Sequence, residues 1–191
     1  AESWYKKALA IEEKQGNEHG AAITYHQLGI IAQEQRDFAA AEGWYKKSLA
    51  IEEKQGNEHD AAITYHQLGR IAQEQCDFAA AEGWYKKALA ITEKQGNEHY
   101  AASTYHQLGR IAEERQDFPQ ACDFYLKSIQ MFTNTNDAHN LTVVIRSYAR
   151  LLHTTAGTEH SQVRQKWTAC MPQELTEILE EMEAKLNDTD C

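Results

Sequence analysis

Residues 41–80 read AEGWYKKSLAIEEKQGNEHDAAITYHQLGRIAQEQCDFAA. This stretch recurs with few changes from residue 1 and again from residue 81, each copy displaced by 40 residues. A fourth, diverged copy keeps Asp117 and Tyr125 in register, but it has Tyr148-Ala149 where the others have Leu-Gly. Self-similarity at a fixed period of this length is typical of arrays of stacked helical units. We therefore expect a repeat protein.

Each repeat contains two apolar patterns of helical period. In the middle copy, Ala61, Leu68 and Ala72 lie on one arc of about 100° if the segment is helical. A second segment carries Tyr85 and Leu89 on an apolar face of its own. The sequence therefore predicts two amphipathic helices per repeat and an all-α fold.

The residues between these segments predict where the helices begin and end. Gly56 suits the position just past a helix end, and Asn57 and Asp77 suit the N-caps of the helices that follow. Pro119 falls in a first turn, where its missing N–H has no intrahelical partner to lose. We therefore expect antiparallel helical hairpins joined by short turns.

This pattern of large and small residues resembles the tetratricopeptide repeat over about residues 1 to 150. The residues that carry the resemblance are Leu68-Gly69, Ala72, Asp77-Phe78, Ala81, Tyr85 and Ala88-Leu89. The long repeat is similar to those of kinesin light chains, Leu-Gly-Asn adaptors, and arrays attached to bacterial signalling ATPases and caspase-like proteases. The resemblance implies a right-handed superhelical α-solenoid of antiparallel helix hairpins that binds other proteins.

We predict two domains from the point at which the repeats decay. Residues 1–153 form the solenoid, which starts within the second helix of a hairpin, and residues 154–191 form C-terminal capping helices. A loop is expected over residues 154–158, then a short helix marked by Val163, Trp167 and Met171. A last helix follows Pro172, apolar on one side and acidic on the other, as expected of a cap. The alternative is that this helix docks onto another domain or chain.

Composition narrows the function. Acidic residues outnumber basic ones 29 to 19, which gives a net charge of −10 and argues against a nucleic-acid surface. No apolar run approaches a membrane span, and four cysteines without a CxxC pair suggest free thiols, so we expect a cytoplasmic protein. Neither a phosphate-cradling glycine loop nor a nucleophile with a base in reach is visible, and the histidines are too widely spaced for zinc. We therefore predict no enzyme activity, no cofactor and no metal site within this chain.

The first helices of the repeats differ from one another mainly at four positions. These are Gly20/Asp60/Tyr100, Ile23/Ile63/Ser103, Ile30/Arg70/Arg110 and Gln33/Gln73/Glu113. On a helix they fall within an arc of about 140° opposite the buried stripe, and the resemblance implies that first helices line a concave groove. The predicted partner-binding residues are His26, Ile30, Gln33, His66, Arg70, Gln73, Glu74, Tyr100, His106, Arg110, Glu113, Arg146 and Arg150.

The arginines at successive repeat positions along this groove favour a protein or peptide partner with acidic residues, because the planar N–H donors of a guanidinium match the two oxygens of a carboxylate. The alternative is that these are ordinary solvated side chains. Two further hypotheses stay open: a regulatory module of a larger enzyme whose catalytic parts lie outside this chain, which would bind other domains of the same protein, and self-association through the first helix.

Overall fold

The computed structural model describes residues 2–189, with side chains described through residue 187. Over this range the chain has ten α-helices and no strand, which confirms the all-α prediction. They divide into two compact units, Ala1–Gln95 and Gly96–Cys191. The first unit contains α1 (Glu2–Gln15), α2 (Glu18–Glu34), α3 (Phe38–Gln55), α4 (Glu58–Glu74) and α5 (Phe78–Lys94). The second contains α6 (Glu98–Glu114), α7 (Phe118–Asn134), α8 (Ala138–Thr154), α9 (Gly157–Cys170) and α10 (Gln173–Thr189).

The predicted helix ends are confirmed by their capping hydrogen bonds. Asn57 Oδ1 accepts from the Asp60 backbone N–H at 3.3 Å, and Asp77 Oδ1 accepts from the Ala80 N–H at 3.0 Å. Gly56 ends α3 in the left-handed conformation, with φ of +66°, which a residue without Cβ adopts without strain. The turns are therefore fixed by local chemistry that repeats with the sequence.

In the first unit, α2 and α3 form one hairpin and α4 and α5 the next, with α3 packed against α4 and α1 against α2. The tyrosine of each second helix fills the space left by a glycine on the first. Tyr85 is fully buried, and a Cβ added at Gly69 would lie only 2.7 Å from its ring. Tyr45 and Gly29 make the same contact in the preceding hairpin. The Leu-Gly pair thus marks the closest approach of the two helices.

The second unit has a core of its own around α7, α8 and α9. Tyr148 and Trp167 are fully buried with ring centroids 4.9 Å apart. The Tyr148 hydroxyl donates to the Val163 carbonyl at 2.7 Å, and Trp167 Nε1 donates to Thr176 Oγ1 at 3.0 Å. Because α10 also packs on α8, the non-repeating helices are part of this core.

The loop predicted over residues 154–158 is wrong in length. Helix α8 runs to Thr154 and α9 begins at Gly157, which leaves only residues 155–156 between them. The hydroxyls of Thr154 and Thr155 donate to the carbonyls of Leu151 and Leu152 at 3.0 Å, so the threonines close the last turn of α8 instead of opening a loop.

The C-terminal helices otherwise lie where expected. Val163 and Trp167 are buried in α9, and Leu179 is fully buried in α10. The boundary at residues 153/154 and the capping role stay predictions. The outer ends of the two predicted domains, Ala1 and Cys191, lie outside the described residues, as does the predicted free thiol of Cys191.

Candidate functional site

All the predicted partner-binding residues lie on the first helices of the hairpins. In the first unit they are His26, Ile30 and Gln33 on α2 and His66, Arg70, Gln73 and Glu74 on α4. In the second unit they are Tyr100, His106, Arg110 and Glu113 on α6 and Arg146 and Arg150 on α8. Their environments differ, and the differences separate residues that hold the helices together from residues that face outward.

The three histidines are half-buried between neighbouring helices. The ring of His26 packs edge-on against Tyr45, with centroids 5.2 Å apart, and its Nδ1 lies 3.1 Å from Thr64 Oγ1. In the second unit, His106 Nε2 lies 2.9 Å from Ser147 Oγ. His26 and His106 therefore each join their own first helix to the next one in the same unit.

Burial also keeps these histidines neutral at pH 7. It lowers the pKa of His66 and of His106 to about 4, and the charge of Arg70 contributes to the lowering at His66. The Nε2 atom of His66 is buried and has no hydrogen-bond partner within the described residues. Partner binding by these residues stays a prediction, but their contacts are those of packing residues.

The position occupied by Gln33, Gln73 and Glu113 accepts a hydrogen bond from a buried tyrosine. Tyr45 Oη donates to Gln33 Oε1 at 3.0 Å, and Tyr85 Oη donates to Gln73 Oε1 at 3.1 Å. Tyr125 Oη donates to Glu113 Oε2 at 2.7 Å. Both an amide and a carboxylate accept this hydrogen bond, so the position can change its charge while the contact is kept.

Arg150 is held by a carboxylate of the preceding first helix. Its Nε and Nη2 donate to the two carboxylate oxygens of Glu113 at 2.9 and 3.0 Å, a bidentate pair. These hydrogen bonds raise the pKa of the Arg150 guanidinium. Its charge is therefore compensated within the second unit, and it is a weaker candidate for binding an acidic partner than its exposure suggests.

Arg70 occupies the same repeat position without that partner. Gln33 stands 37 residues before it, as Glu113 stands before Arg150. The exposed guanidinium donates only to the amide oxygen of Gln67, at 3.3 Å, and no carboxylate oxygen of the described residues lies within ion-pair distance. The positive charge of the Arg70 guanidinium is therefore not paired with a carboxylate of the described residues.

Arg70 also lines an open pocket of about 380 Å³ between α2 and α4. The lining residues are Ile30, Gln33, Glu34, Arg36, Phe38, Gln67, Arg70 and Glu74. Four of the predicted site residues thus share one surface. We call it the Arg70 surface.

The remaining predicted residues lie in the second unit. Arg110 and Arg146 are exposed, and Arg110 Nη1 donates to Gln107 Oε1 at 3.3 Å. Tyr100 is half-buried at the start of α6, where its N–H donates to Asn97 Oδ1 at 3.2 Å. A continuous groove along all the first helices stays a prediction.

Sequence reasoning missed a second pocket of the first unit, of about 320 Å³, where the end of α3 meets the beginnings of α2 and α4. Glu52 lines it and is only 5% exposed. The signal was available, since the second helices have Glu12, Glu52, Thr92 and Phe132 at one repeat position. Comparing second helices as well as first helices would have singled it out.

Among the described residues no group of three or more His, Cys, Asp or Glu side chains is arranged to hold a metal ion. No helix in that range combines the length and apolar character needed to cross a bilayer.

Stacked helical hairpins, a tyrosine–glycine contact in three of them and variable outer positions define a helical repeat scaffold. A family model for the tetratricopeptide repeat matches residues 1–54, 44–94 and 60–134. The chain belongs to the tetratricopeptide repeat family, which confirms the resemblance seen in the sequence.

Solved structures share the fold at low sequence identity. The crystal structure of BtubC (BKLC) from P. vanneervenii superposes with a TM-score of 0.77 at 20% identity, covering 98% of this chain and 73% of that one. A putative kinesin light chain with nearly identical repeats from Podosopora anserina gives a TM-score of 0.68 at 19% identity, covering 97% and 86%. MamA protein gives 0.59 at 16% identity, covering 100% and 96%. No curated protein matches this chain.

Proposed function

We propose that this chain is a protein-binding scaffold whose Arg70 surface binds an acidic segment of a partner protein. The observation that carries the proposal is the difference between two equivalent arginines. Glu113 neutralises Arg150, whereas Gln33 leaves the charge of Arg70 exposed and available. Because Arg presents a planar fork that matches a carboxylate bidentately, an acidic side chain is the group that this surface suits best.

The neighbours of Arg70 favour a peptide over a free anion. Ile30 and Phe38 line the same pocket and are half-buried, so they offer apolar surface beside the guanidinium. Arg36 lies over the Phe38 ring, with its guanidinium carbon 5.7 Å from the ring centroid. Glu34 and Glu74 lie on the same surface and would repel a partner with clustered negative charge. The suitable segment therefore carries one acidic side chain beside an apolar one.

The compartment is part of the proposal. Cys76 and Cys170 are exposed free thiols and Cys122 is a buried one. Free thiols on the surface are typical of a reducing environment, which supports a cytoplasmic location.

The test is a selection from a random peptide library displayed on phage, with the full chain as bait. We expect enriched peptides to share an acidic residue next to an apolar one, and to bind less tightly as the salt concentration rises. Arg70→Glu should weaken binding of a selected peptide by about tenfold or more, since a charge-assisted pair is replaced by repulsion.

The matched control is Lys46→Glu on α3, which makes the same charge change away from the Arg70 surface. Lys46 is exposed and pairs only with Glu42 of its own helix among the described residues. Equal loss in both variants would show that net charge and not this surface governs binding. Selected peptides without acidic residues, or full binding by Arg70→Glu, would refute the proposal.

A further inference from the structure

The second pocket of the first unit, which we call the Glu52 pocket, combines acidic and apolar side chains. Its lining residues are His19, Ala22, Ile23, His26, Gln27, Glu52, Gln55, Asn57, Asp60 and Ile63. Two of them are carboxylic acids, and none is a lysine or an arginine. Ile23 is 51% exposed, so the opening of the pocket presents apolar surface to solvent.

Glu52 is short of hydrogen-bond donors. Its Oε1 lies 2.7 Å from Ser48 Oγ and 3.1 Å from Thr64 Oγ1. Ser48 Oγ also lies 2.7 Å from the Ala22 carbonyl oxygen, and its single hydroxyl hydrogen cannot serve both acceptors at once. The Oε2 atom is buried and has no partner among the described residues. A buried carboxylate in this condition carries a substantial desolvation cost.

The next repeat shows how the same position is built without a carboxylate. Thr92 replaces Glu52, and its hydroxyl lies 3.1 Å from the Ala88 and Leu89 carbonyls of its own helix. Ala88 stands where the preceding repeat has Ser48. The hairpin therefore forms without a carboxylate here, and packing alone does not explain Glu52.

We propose that the Glu52 pocket binds the guanidinium or ammonium group of a basic side chain from a partner protein. The cation would donate to the free Oε2 atom of Glu52, and Asp60 would add a second negative charge. The aliphatic stem would lie against Ile23 and Ile63 at the opening. Burial raises the pKa of Glu52, and a bound cation would oppose that effect and stabilise the carboxylate.

That the bound cation belongs to a partner protein rests on the proposed function. The Glu52 pocket lies along α2 from the Arg70 surface, and the seven residues from Ile23 to Ile30 span about 10 Å of helix. An extended segment covers that distance in about three residues. A partner with a basic residue about three positions from its acidic residue would therefore reach both.

The experiment titrates the full chain with blocked arginine amide and follows the methyl resonances of Ile23 and Ile63 by NMR. Blocked norleucine amide is the uncharged control, and n-butylguanidinium is the control for a free small cation without a peptide backbone. We expect saturable shifts with arginine amide at roughly millimolar dissociation constants, at least about tenfold weaker binding of norleucine amide and weaker binding of n-butylguanidinium.

The variants separate this proposal from the previous one. Glu52→Gln should lower the affinity for arginine amide about tenfold or more. Ser48→Ala/Glu52→Thr copies the next repeat, so it should fold normally and also lose the site. Arg70→Glu should leave arginine amide binding unchanged, even if it abolishes binding of acidic peptides.

Three outcomes would overturn the inference. Unchanged affinity in both Glu52 variants would place the cation elsewhere, and the absence of saturable shifts would show that the pocket does not take a cation. Binding of n-butylguanidinium as tight as that of arginine amide would assign the pocket to free small cations and refute a protein partner.

Discussion

Replacing Gly69 by alanine should destabilise the protein, although alanine is the better helix former. A Cβ at this position would lie 2.7, 2.7 and 2.9 Å from three ring atoms of Tyr85, whereas ordinary van der Waals contacts begin at 3.4 Å. The ring would have to retreat by about 0.7 Å. Tyr85 is fully buried and its hydroxyl donates to Gln73, so the ring has little room to move.

The size of the effect follows from two opposing contributions. Overpacking of a tight core costs about 1–3 kcal/mol, and exchanging glycine for alanine inside a helix returns about 1 kcal/mol. Because the Tyr85 ring has little room to move, the upper part of the overpacking range applies, about 2–3 kcal/mol, and the net loss at Gly69 is about 1–2 kcal/mol. Gly83 is exposed in α5, and a Cβ there would meet nothing within 4 Å. Gly83→Ala should accordingly stabilise the protein by about 0.5–1 kcal/mol.

The assay is urea unfolding of both variants and the parent chain, followed by helical circular dichroism. Repeat proteins often depart from two-state unfolding, so free energies are compared only where the slopes agree, and midpoints otherwise. The reasoning is refuted if Gly69→Ala is as stable as the parent chain. It is also refuted if Gly83→Ala loses as much stability as Gly69→Ala, because the contact with Tyr85 would then not be the cause.

Three further predictions concern single positions. His66 and His106 have pKa values of about 4 in the folded chain and 6.5 in the unfolded chain. The free energy of unfolding should therefore fall as the pH drops from 6.5 towards 4, by on the order of 2 kcal/mol per histidine near pH 5. Urea unfolding across this pH range checks the slope, and replacement of both histidines by glutamine should flatten it. Cys76 has a φ of +60°, so Cys76→Gly should raise the free energy of unfolding by up to about 1 kcal/mol, and an unchanged unfolding midpoint would contradict a strained turn. Gln33→Glu should pair with Arg70 and abolish capture of acidic peptides while the fold is retained, and a crystal structure without this ion pair would contradict the equivalence of the two units.

The fold was predictable because its signals are local and repeat. Asn57 and Asp77 cap the helices that follow them through hydrogen bonds that span three residues. Gly69 marks a close helix crossing, and its exact recurrence reveals the constraint without any structure. The 154–158 loop was the exception, because threonine and glycine composition suggests a loop whereas the threonine hydroxyls bond back to the helix.

The candidate site was only partly predictable, because its energetics depend on contacts between helices. Periodicity places Arg70 and Arg150 on the same outward face, but it does not tell which of them meets a carboxylate. That depends on the residue 37 positions earlier, a lateral contact between neighbouring first helices. The histidines were likewise placed on the correct helices, but their burial beside tyrosine rings follows from the spacing of those helices.

The tyrosine contact explains how such a scaffold can change its binding surface without changing its fold. The hydroxyls of Tyr45 and Tyr125 are accepted by Gln33 and Glu113 respectively, so the hairpin accommodates either residue. The same position faces the arginine of the following first helix, where a carboxylate compensates the charge and an amide leaves it available. A single exchange between glutamine and glutamate thus changes the local charge while the buried hydrogen bond is kept. Selection for a new partner can therefore act on this position with little cost in stability, which accounts for variation at the outer positions beside an almost unchanged core.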